Sequence, residues 1–384
     1  MKKQLIAAGM VGLLGLSMVA CSGTGAGGGA AQASGSQAPS QITVGVAMPD
    51  KTDQRWIADG NAVQAGLQKL GYNVDLEYAA DDVPTQAQQI DQMITKGDKV
   101  LIIASIDGTA LTSQLQEAAA AGIKVIAYDR LLMNSDNVDF YVSFDNFNVG
   151  VAQAKSFLYG LGLTDANGNK VANPPAGPMD IELFAGSPTD NNSQYDWNGA
   201  MSVLQPYLDD GTLVVKSGQT QFSQCTTANW DQATAQTRME NLLSSTYGGT
   251  GAGLKGVFSP YDGISRGIIT ALQGVGMGPT IANGLPIVTG QDAEIASVAL
   301  INQGVQFSTI FKDTRQLAAE AVTAAQSYLS GQTPTANNTT DYNNGTKVVP
   351  SMLLQVDTVN KDNIQSELID SGYYTQAQVD SGQQ

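Results

Sequence analysis

Hydrophobic residues from position 42 onward form short apolar runs, separated by longer segments with an apolar residue at every third or fourth position. The short runs predict strands over residues 42–47, 73–78, 100–104 and 123–128. The longer segments predict helices over about 54–70, 84–97 and 110–121, each ending near a glycine. Strand and helix repeat about every 25–30 residues, which is typical of βαβ crossovers and a parallel sheet.

The same alternation restarts after residues 164–178, a loop rich in Gly, Pro and Asn. Strands are predicted over 180–184, 213–216, 256–259, 286–289 and 306–311, and helices over 231–244 and 314–329. An extended segment follows at 348–356, and its pattern fits either sheet. The chain is therefore expected to be an α/β protein with two successive, doubly wound parallel sheets.

The first forty residues have the pattern of an export leader and a linker. Lys2 and Lys3 precede an apolar stretch of about fifteen residues, which is shorter than the ~20 that a membrane span needs. Residues 1–20 are predicted to be a signal peptide, and Met18-Val19-Ala20 before Cys21 resembles a bacterial lipobox. We expect Cys21 to be lipidated and residues 21–41 to form a flexible tether on the outer face of the cytoplasmic membrane. An ordinary signal peptide with an incidental cysteine is the alternative.

The charge balance and the missing residue types exclude several kinds of function. The 384 residues contain 35 acidic and 19 basic side chains, no His and two Cys, for a net charge of −16. This charge disfavours nucleic-acid binding, which depends on Lys and Arg. The absence of His removes Ser-His-Asp and Cys-His catalysis and His-based metal sites. We expect no cofactor and no metal, and we expect Cys225 to remain without a disulfide if Cys21 is lipidated.

Polar residues follow nearly every predicted strand. In open parallel sheets, ligands bind beyond the carboxyl ends of the strands. The clusters lie at 50–56, 105–108, 129–130 and 145–146 in the first half, and at 187–192, 260–263, 291–292 and 312–313 in the second. Their Asp, Asn, Arg and Lys side chains suit a neutral ligand with many hydroxyl groups. A strand-end aspartate such as Asp50, Asp107 or Asp313 is also an ordinary helix N-cap, and Asp129-Arg130 could be a surface ion pair.

The three tryptophans differ in their predicted roles. Trp56 lies within the first strand-end cluster and Trp230 directly precedes a predicted helix, so each could present a flat ring to the apolar face of a sugar. Trp197 lies inside a helical segment and is predicted to belong to the core.

Several motifs in order resemble those of the periplasmic sugar-binding proteins of type I fold. These are VGVAMPDKTDQRWIADG, QQIDQMITKGDKVLIIASIDG, AAGIKVIAYDRLL, SPTDNN, SPYDGISRG and GQDAE. The resemblance extends from residue 42 to about 375 and is nearest the xylose-binding and multiple-monosaccharide-binding members. It implies two lobes joined by a three-segment hinge, with sugar in the cleft. The lobes would comprise residues 42–145 plus about 313–342, and 146–312 plus about 343–384.

The resemblance also implies a set of sugar-binding residues and no catalytic residue. The set comprises Arg55, Trp56, Asp129, Arg130, Asn146, Asn191, Trp230, Tyr261, Asp262, Asp292 and Lys312. Asp190 or Asn192 could take the place of Asn191. Of the adjacent residues Tyr261 and Asp262, either one could contact the sugar.

The function implied is that of a lipid-anchored monomeric receptor that delivers a monosaccharide to an ABC permease. The sugar would be an aldopentose or aldohexose such as xylose, glucose, galactose or arabinose. The alternative is a receptor that reports sugar to a sensor kinase or chemoreceptor. A glycosidase would need a pair of carboxylates that the sequence does not single out, and a repressor would need a helix-turn-helix that it lacks.

Overall fold

Two parallel sheets with helices on their faces organise the chain in a computed structural model, which describes residues 37–383. The predicted leader, Cys21 and residues 22–36 of the predicted tether lie outside this range. The strands are β1 Thr43–Met48, β2 Asn73–Tyr78, β3 Val100–Ile103, β4 Lys124–Tyr128, β5 Phe140–Phe144, β6 Met179–Leu183, β7 Leu213–Val215, β8 Leu254–Phe258, β9 Ile287–Val288, β10 Ser308–Phe311, β11 Ser351–Leu354 and β12 Asp357–Asn360. The α-helices are α1 Gln54–Lys69, α2 Val83–Lys96, α3 Thr112–Ala120, α4 Asn146–Gly160, α5 Asn191–Asp209, α6 Phe222–Cys225, α7 Gln232–Thr246, α8 Asp262–Gly274, α9 Ile295–Asn302, α10 Thr314–Leu329 and α11 Gln376–Ser381.

The first sheet has the order β11-β5-β4-β3-β1-β2, and all its strand pairs are parallel. One face packs against α1 and α10, and the other packs against α2 and α3. Strand β3 is buried at every position. Burial on both faces explains why the central strands are continuous apolar runs and not alternating patterns.

The second sheet has the order β7-β6-β8-β9, and its strand pairs are also parallel. An isolated parallel bridge between Gln291 and Ile310 brings β10 beside this sheet, and β12 pairs antiparallel with β10. One apolar core lies on the side of α4 and α5, and another lies beneath α7 and α8. Trp197 belongs to the first of these cores, as expected.

The chain crosses between the two sheets at three places: between β5 and α4, between β10 and α10, and between β11 and β12. The expected architecture of two parallel-sheet lobes is therefore confirmed. Within residues 37–383, no helix is long and apolar enough to cross a bilayer.

One predicted boundary is wrong. Residues from about 343 were expected in the second lobe, but β11 pairs in parallel register with β5, with Ser351 opposite Tyr141 and Leu354 opposite Phe144. The first lobe therefore continues to residue 354, and only β12 and the residues after it join the second. The sequence shows that this segment is extended, but a strand's own residues do not determine which sheet edge accepts it.

Candidate ligand-binding site

A cavity lies where the carboxyl ends of the two sheets face each other. The residues around it enclose about 720 Å³ of space between protein atoms, part of which is open solvent. The lining residues are Asp50, Asp53, Arg55, Trp56, Asp81, Ile106, Asp129, Arg130, Ser187, Asp190, Asn192, Asn229, Trp230, Tyr261, Gln291, Asp292 and Lys312.

Arg55 links the two lobes through their carboxylates. Its guanidinium lies 3.3 Å from Asp59 and 3.4 Å from Asp292, and it also pairs with Asp129. Burial alone would lower the pKa of Arg55, but the three carboxylates hold it well above its usual value. Because Asp129 follows β4 and Asp292 follows β9, this arginine bridges the cleft.

Asp129 is the ionised centre of this cluster. Burial alone would raise the pKa of Asp129, but Arg55 and Lys312 outweigh burial and lower it. The Lys312 ammonium lies 2.9 Å from Asp292, and both side chains are almost fully buried. The cluster therefore offers buried carboxylates as acceptors and buried cations as donors, all held in place by one another.

A second cross-cleft pair lies at the other side of the cavity. The Arg130 Nε is 3.2 Å from an Asp190 carboxylate oxygen, and the Trp230 indole donates a hydrogen bond of 3.2 Å to the same oxygen. Arg130 also donates to the Ser105 carbonyl at 3.1 Å. Burial raises the pKa of Asp190, and Arg130 opposes that rise.

Aromatic rings form part of the wall. Trp56 is 3% exposed, and its ring lies 4.8 Å from the Arg55 guanidinium and 5.0 Å from that of Arg130. The Trp230 ring meets Tyr261 edge to face at 6.0 Å. Cation–π contacts of this kind orient both the ring and the guanidinium.

Five residues on the wall have left-handed backbone conformations. The φ angles are +56° at Asp81, +59° at Asp129, +54° at Asn229, +56° at Trp230 and +89° at Asp292. Non-glycine residues rarely adopt this region, and those that do are concentrated at ligand sites. The amides of Asp129 and Asp292 donate to Val142 and Ile310 at 2.8 Å, so each turn is fixed by a neighbouring strand.

The structure brings most of the predicted residues to the cavity. These are Arg55, Trp56, Asp129, Arg130, Trp230, Tyr261, Asp292 and Lys312. Asn146 lies behind the wall, where its side-chain amide donates to Asn192 at 2.8 Å. Asp262 is fully buried under the wall and accepts from Gln306 at 2.8 Å, so its neighbour Tyr261 is the one that faces the cavity.

Asn191 does not line the cavity, but both of its neighbours do. Asp190 is the N-cap of α5, and its carboxylate accepts from the Asn192 amide at 2.9 Å. Asn192 also donates to the Asp129 carbonyl at 2.9 Å, across the cleft. Consecutive side chains in the first turn of a helix diverge by about 100°, so the sequence alone leaves this position ambiguous by one residue.

Several lining residues had no place in the predicted set. Asp50, Asp53, Ile106, Ser187 and Gln291 fall inside the strand-end clusters, which point to this edge of the sheets without singling out these side chains. Asp81 and Asn229 lie in loops without a distinguishing sequence pattern. Asp53 is notable because burial, followed by Glu294, Asp50 and Asp81, raises its pKa from 3.8 to about 7.

The chain is similar to a known protein family and to characterised sugar-binding proteins. A family profile described as a periplasmic binding protein domain matches residues 44–333. A multiple sugar-binding periplasmic receptor of Rhizobium radiobacter is 54% identical over 88% of this chain and 92% of its own length. A D-xylose-binding periplasmic protein of Escherichia coli is 34% identical over 88% of this chain and 93% of its own.

Solved structures agree with these relatives. An ABC transporter solute-binding protein from Clostridium phytofermentans with bound β-D-glucose superposes with a TM-score of 0.81 at 44% identity, covering 88% of this chain and 99% of that one. A carbohydrate transporter solute-binding protein from Chloroflexus aurantiacus in complex with D-glucose gives a TM-score of 0.76 at 36% identity, covering 88% and 98%.

Two parallel-sheet lobes with a charged cavity at their facing strand ends define a binding protein that encloses a polar ligand. The chain belongs to the periplasmic binding protein family, among its type I sugar-binding members. Membership in this family indicates an extracytoplasmic protein.

Proposed function

We propose that the protein captures an aldose in the inter-lobe cavity and presents it to an ABC importer. The observation that carries the proposal is the pair of cross-cleft charge clusters, one around Arg55 and one around Arg130. Trp230 bonds to Asp190 of the second cluster and packs edge to face against Tyr261. The support from relatives is that two of them are named for sugar binding and that two structural neighbours hold glucose.

The chemistry of the wall matches sugar hydroxyl groups. The ionised Asp129 can accept from two adjacent hydroxyls, while Arg55, Arg130 and Lys312 can donate to hydroxyl and ring oxygens. Hydrogen bonds to charged groups are stronger than neutral ones, so buried ions can replace the water that a sugar gives up. The Trp230 ring supplies the apolar surface that the C–H face of a pyranose needs.

Sugar binding would favour the closed arrangement of the lobes, because a ligand held from both sides loses half of its contacts when they part. The closed form would then dock on the membrane permease. Lipid on Cys21 would hold the receptor close to that permease and raise its effective concentration.

We infer binding without turnover, because the relatives are named as a sugar-binding receptor and a sugar-binding protein. Signalling to a sensor kinase or chemoreceptor is a second role for the same closed form. The word "receptor" in the name of the Rhizobium radiobacter relative supports it.

A thermal-shift screen with D-glucose, D-galactose, D-xylose and L-arabinose, followed by calorimetric titration of the hits, tests the proposal. We expect at least one aldose to stabilise the protein by mass action and to be recovered unchanged after prolonged incubation. If no aldose shifted the unfolding temperature, the proposal would be wrong. Metabolic labelling with palmitate, with Cys21→Ser as the control, tests the anchor separately.

A further inference from the structure

A loop of the first lobe reaches the second lobe at a place away from the cavity. Residues 330–350, here called the strap, connect α10 to β11. The ring of Tyr342 in the strap stacks on the ring of Tyr195 in α5, with centroids 4.7 Å apart and planes inclined by 21°. The Tyr195 hydroxyl donates to the Asp341 carbonyl at 2.7 Å. Tyr195, Asp341 and Tyr342 are called the clasp below.

The strap is fastened to the first lobe. Tyr342 is 2% exposed and packs in the same apolar core as Tyr141 and Leu353. The buried Asn344 side chain donates to the carbonyls of Leu132 and Ser135 at 3.2 and 2.7 Å. The strap half of the clasp therefore moves with the first lobe.

The other half of the clasp belongs to the second lobe. Helix α5 packs its apolar face in the core with β6 and β7, yet Tyr195 on the same helix packs against the core of the first lobe. The half-buried Tyr195 of the second lobe thus packs at the edge of the first lobe.

The clasp is separate from the ligand wall. None of its three residues lines the cavity. By contrast, the ion pairs that cross the cleft, Arg55 with Asp292 and Arg130 with Asp190, are formed by cavity residues themselves. Tyr342 reaches the wall only through Tyr141, whose ring lies 5.3 Å away and whose hydroxyl donates to Asn192 at 3.0 Å. A change at Tyr195, which meets Tyr342 from the other lobe, can therefore alter how the lobes meet without replacing a residue that lines the cavity.

We propose that the clasp stabilises the closed arrangement and thereby sets the affinity for every ligand without selecting among ligands. The inference rests on the proposed function, because it requires a ligand that binds the closed lobes. Tyr195 acts here as a positioning residue and makes no contact with sugar.

The effect on affinity has a simple form. The apparent dissociation constant equals the intrinsic constant divided by the fraction of protein in the competent, closed state. Removing the clasp lowers that fraction by the same factor for every sugar. Ratios of affinity between sugars therefore remain constant, which a change in the ligand wall would not achieve.

Calorimetric titration of Tyr195→Ala and Tyr195→Phe with D-glucose, D-galactose, D-xylose and L-arabinose tests the inference. The stacked ring and one neutral hydrogen bond together predict binding about tenfold weaker in Tyr195→Ala. Tyr195→Phe keeps the stacked ring and should lose about threefold. Stopped-flow tryptophan fluorescence should show faster sugar release, with affinity ratios unchanged.

Tyr207→Ala is the matched control. Tyr207 is a half-buried tyrosine of the same helix that packs within the second lobe, under the Lys170 ammonium. We expect it to lower the unfolding temperature but to leave affinity as in the wild type. If Tyr195→Ala does not fold, Tyr195→Phe carries the test alone.

Three outcomes would overturn the inference. Unchanged affinity with faster unfolding in Tyr195→Ala would show that the clasp persists as a pivot in the open form. Affinity lost for one sugar but not for another would show that Tyr195 selects ligand. Failure of the wild-type protein to bind any aldose would remove the proposed function as well, whereas the first two results would leave that function intact.

Discussion

At the scale of single residues, the cavity is organised by charges that hold one another. Arg55 contacts carboxylates from both lobes, and Asp129 stays ionised although it is buried, because two cations outweigh burial. A buried ion without a partner is costly, so each member of the cluster depends on the others. The left-handed backbone at Asp129 and Asp292 points the two carboxylates inward from their strand ends.

Replacing Asp129 tests this dependence. Asp129→Asn should weaken aldose binding by about 2 kcal/mol, or ~30-fold, with a loss that differs between sugars, because a charged acceptor is lost and Arg55 loses a partner. Calorimetric titration measures the change. Asp107→Asn is the matched control, since Asp107 also follows a strand but lies outside the cavity and only accepts from Thr109. Equal affinities in wild type and Asp129→Asn would contradict the assignment.

The raised pKa of Asp53 in the cavity lining predicts a pH dependence of stability. Burial, with Glu294, Asp50 and Asp81, raises the pKa of Asp53 from 3.8 to about 7, so the folded protein holds a proton that the unfolded chain releases. The stability that this group contributes is present below about pH 4 and is lost as the pH rises through about 7.

Unfolding temperatures at pH 5 and pH 8 measure this effect. Asp53→Asn should lose less stability between the two pH values than the wild type does. The Asp53 side chain makes no cap hydrogen bond to α1, so the substitution removes little else. Asp209→Asn, at an exposed position, should keep the wild-type dependence. A variant with the same pH dependence as the wild type would rule out Asp53 as its source.

At the scale of elements, the loops between strands and helices both cap the helices and face the ligand. Asp190 caps α5 through the Asn192 amide and also meets Arg130 and Trp230 across the cavity. Capping and ligand contact are therefore compatible at this position. Asp313, by contrast, caps α10 and pairs with Arg315 without lining the cavity, so the capping alternative holds for it.

In the loop after β6, Gly186 packs so closely against Trp230 that a single added methyl group should affect sugar binding. A Cβ at Gly186 would lie 2.0 Å from the Trp230 ring, so Gly186→Ala should displace the indole and weaken sugar binding about tenfold. Titration and Trp fluorescence measure both effects. Gly274→Ala, in α8 with nothing within 4 Å, should leave affinity unchanged and stabilise the protein slightly. Wild-type affinity in Gly186→Ala would show that Trp230 is not a binding surface.

At the scale of the whole molecule, binding and stability are coupled because the ligand would touch both lobes. Three chain crossings join the lobes, and the contacts between them include the cross-cleft ion pairs, the hydrogen bond from Asn192 to the Asp129 carbonyl, and the clasp. A ligand that occupies the cavity adds contacts on both sides, so it should protect each lobe against unfolding.

Denaturation with and without sugar measures how much the ligand adds to the free energy of unfolding. A bound aldose at a hundred times its dissociation constant should add about 2.7 kcal/mol to the free energy of unfolding. The same concentration should add only about 0.9 kcal/mol to Asp129→Asn if that variant binds ~30-fold more weakly. Equal stabilisation of the two proteins would place the sugar at a site that excludes Asp129.

What the sequence determined by itself is local. The apolar runs and their glycine stops predicted the strands and helices, because secondary structure follows the spacing of neighbouring residues. The polar clusters at strand ends predicted one ligand edge, because parallel strands end together. The motif order identified the family.

What only the tertiary structure decided depends on residues far apart in the chain. It placed β11 beside β5, turned Asp190 and Asn192 rather than Asn191 to the cavity, and put Tyr261 in front of Asp262. It also joined Tyr195 to the strap. Such contacts arise when whole elements pack, and the direction of one side chain changes by about 100° with each helical residue. No pattern within a short segment carries that information.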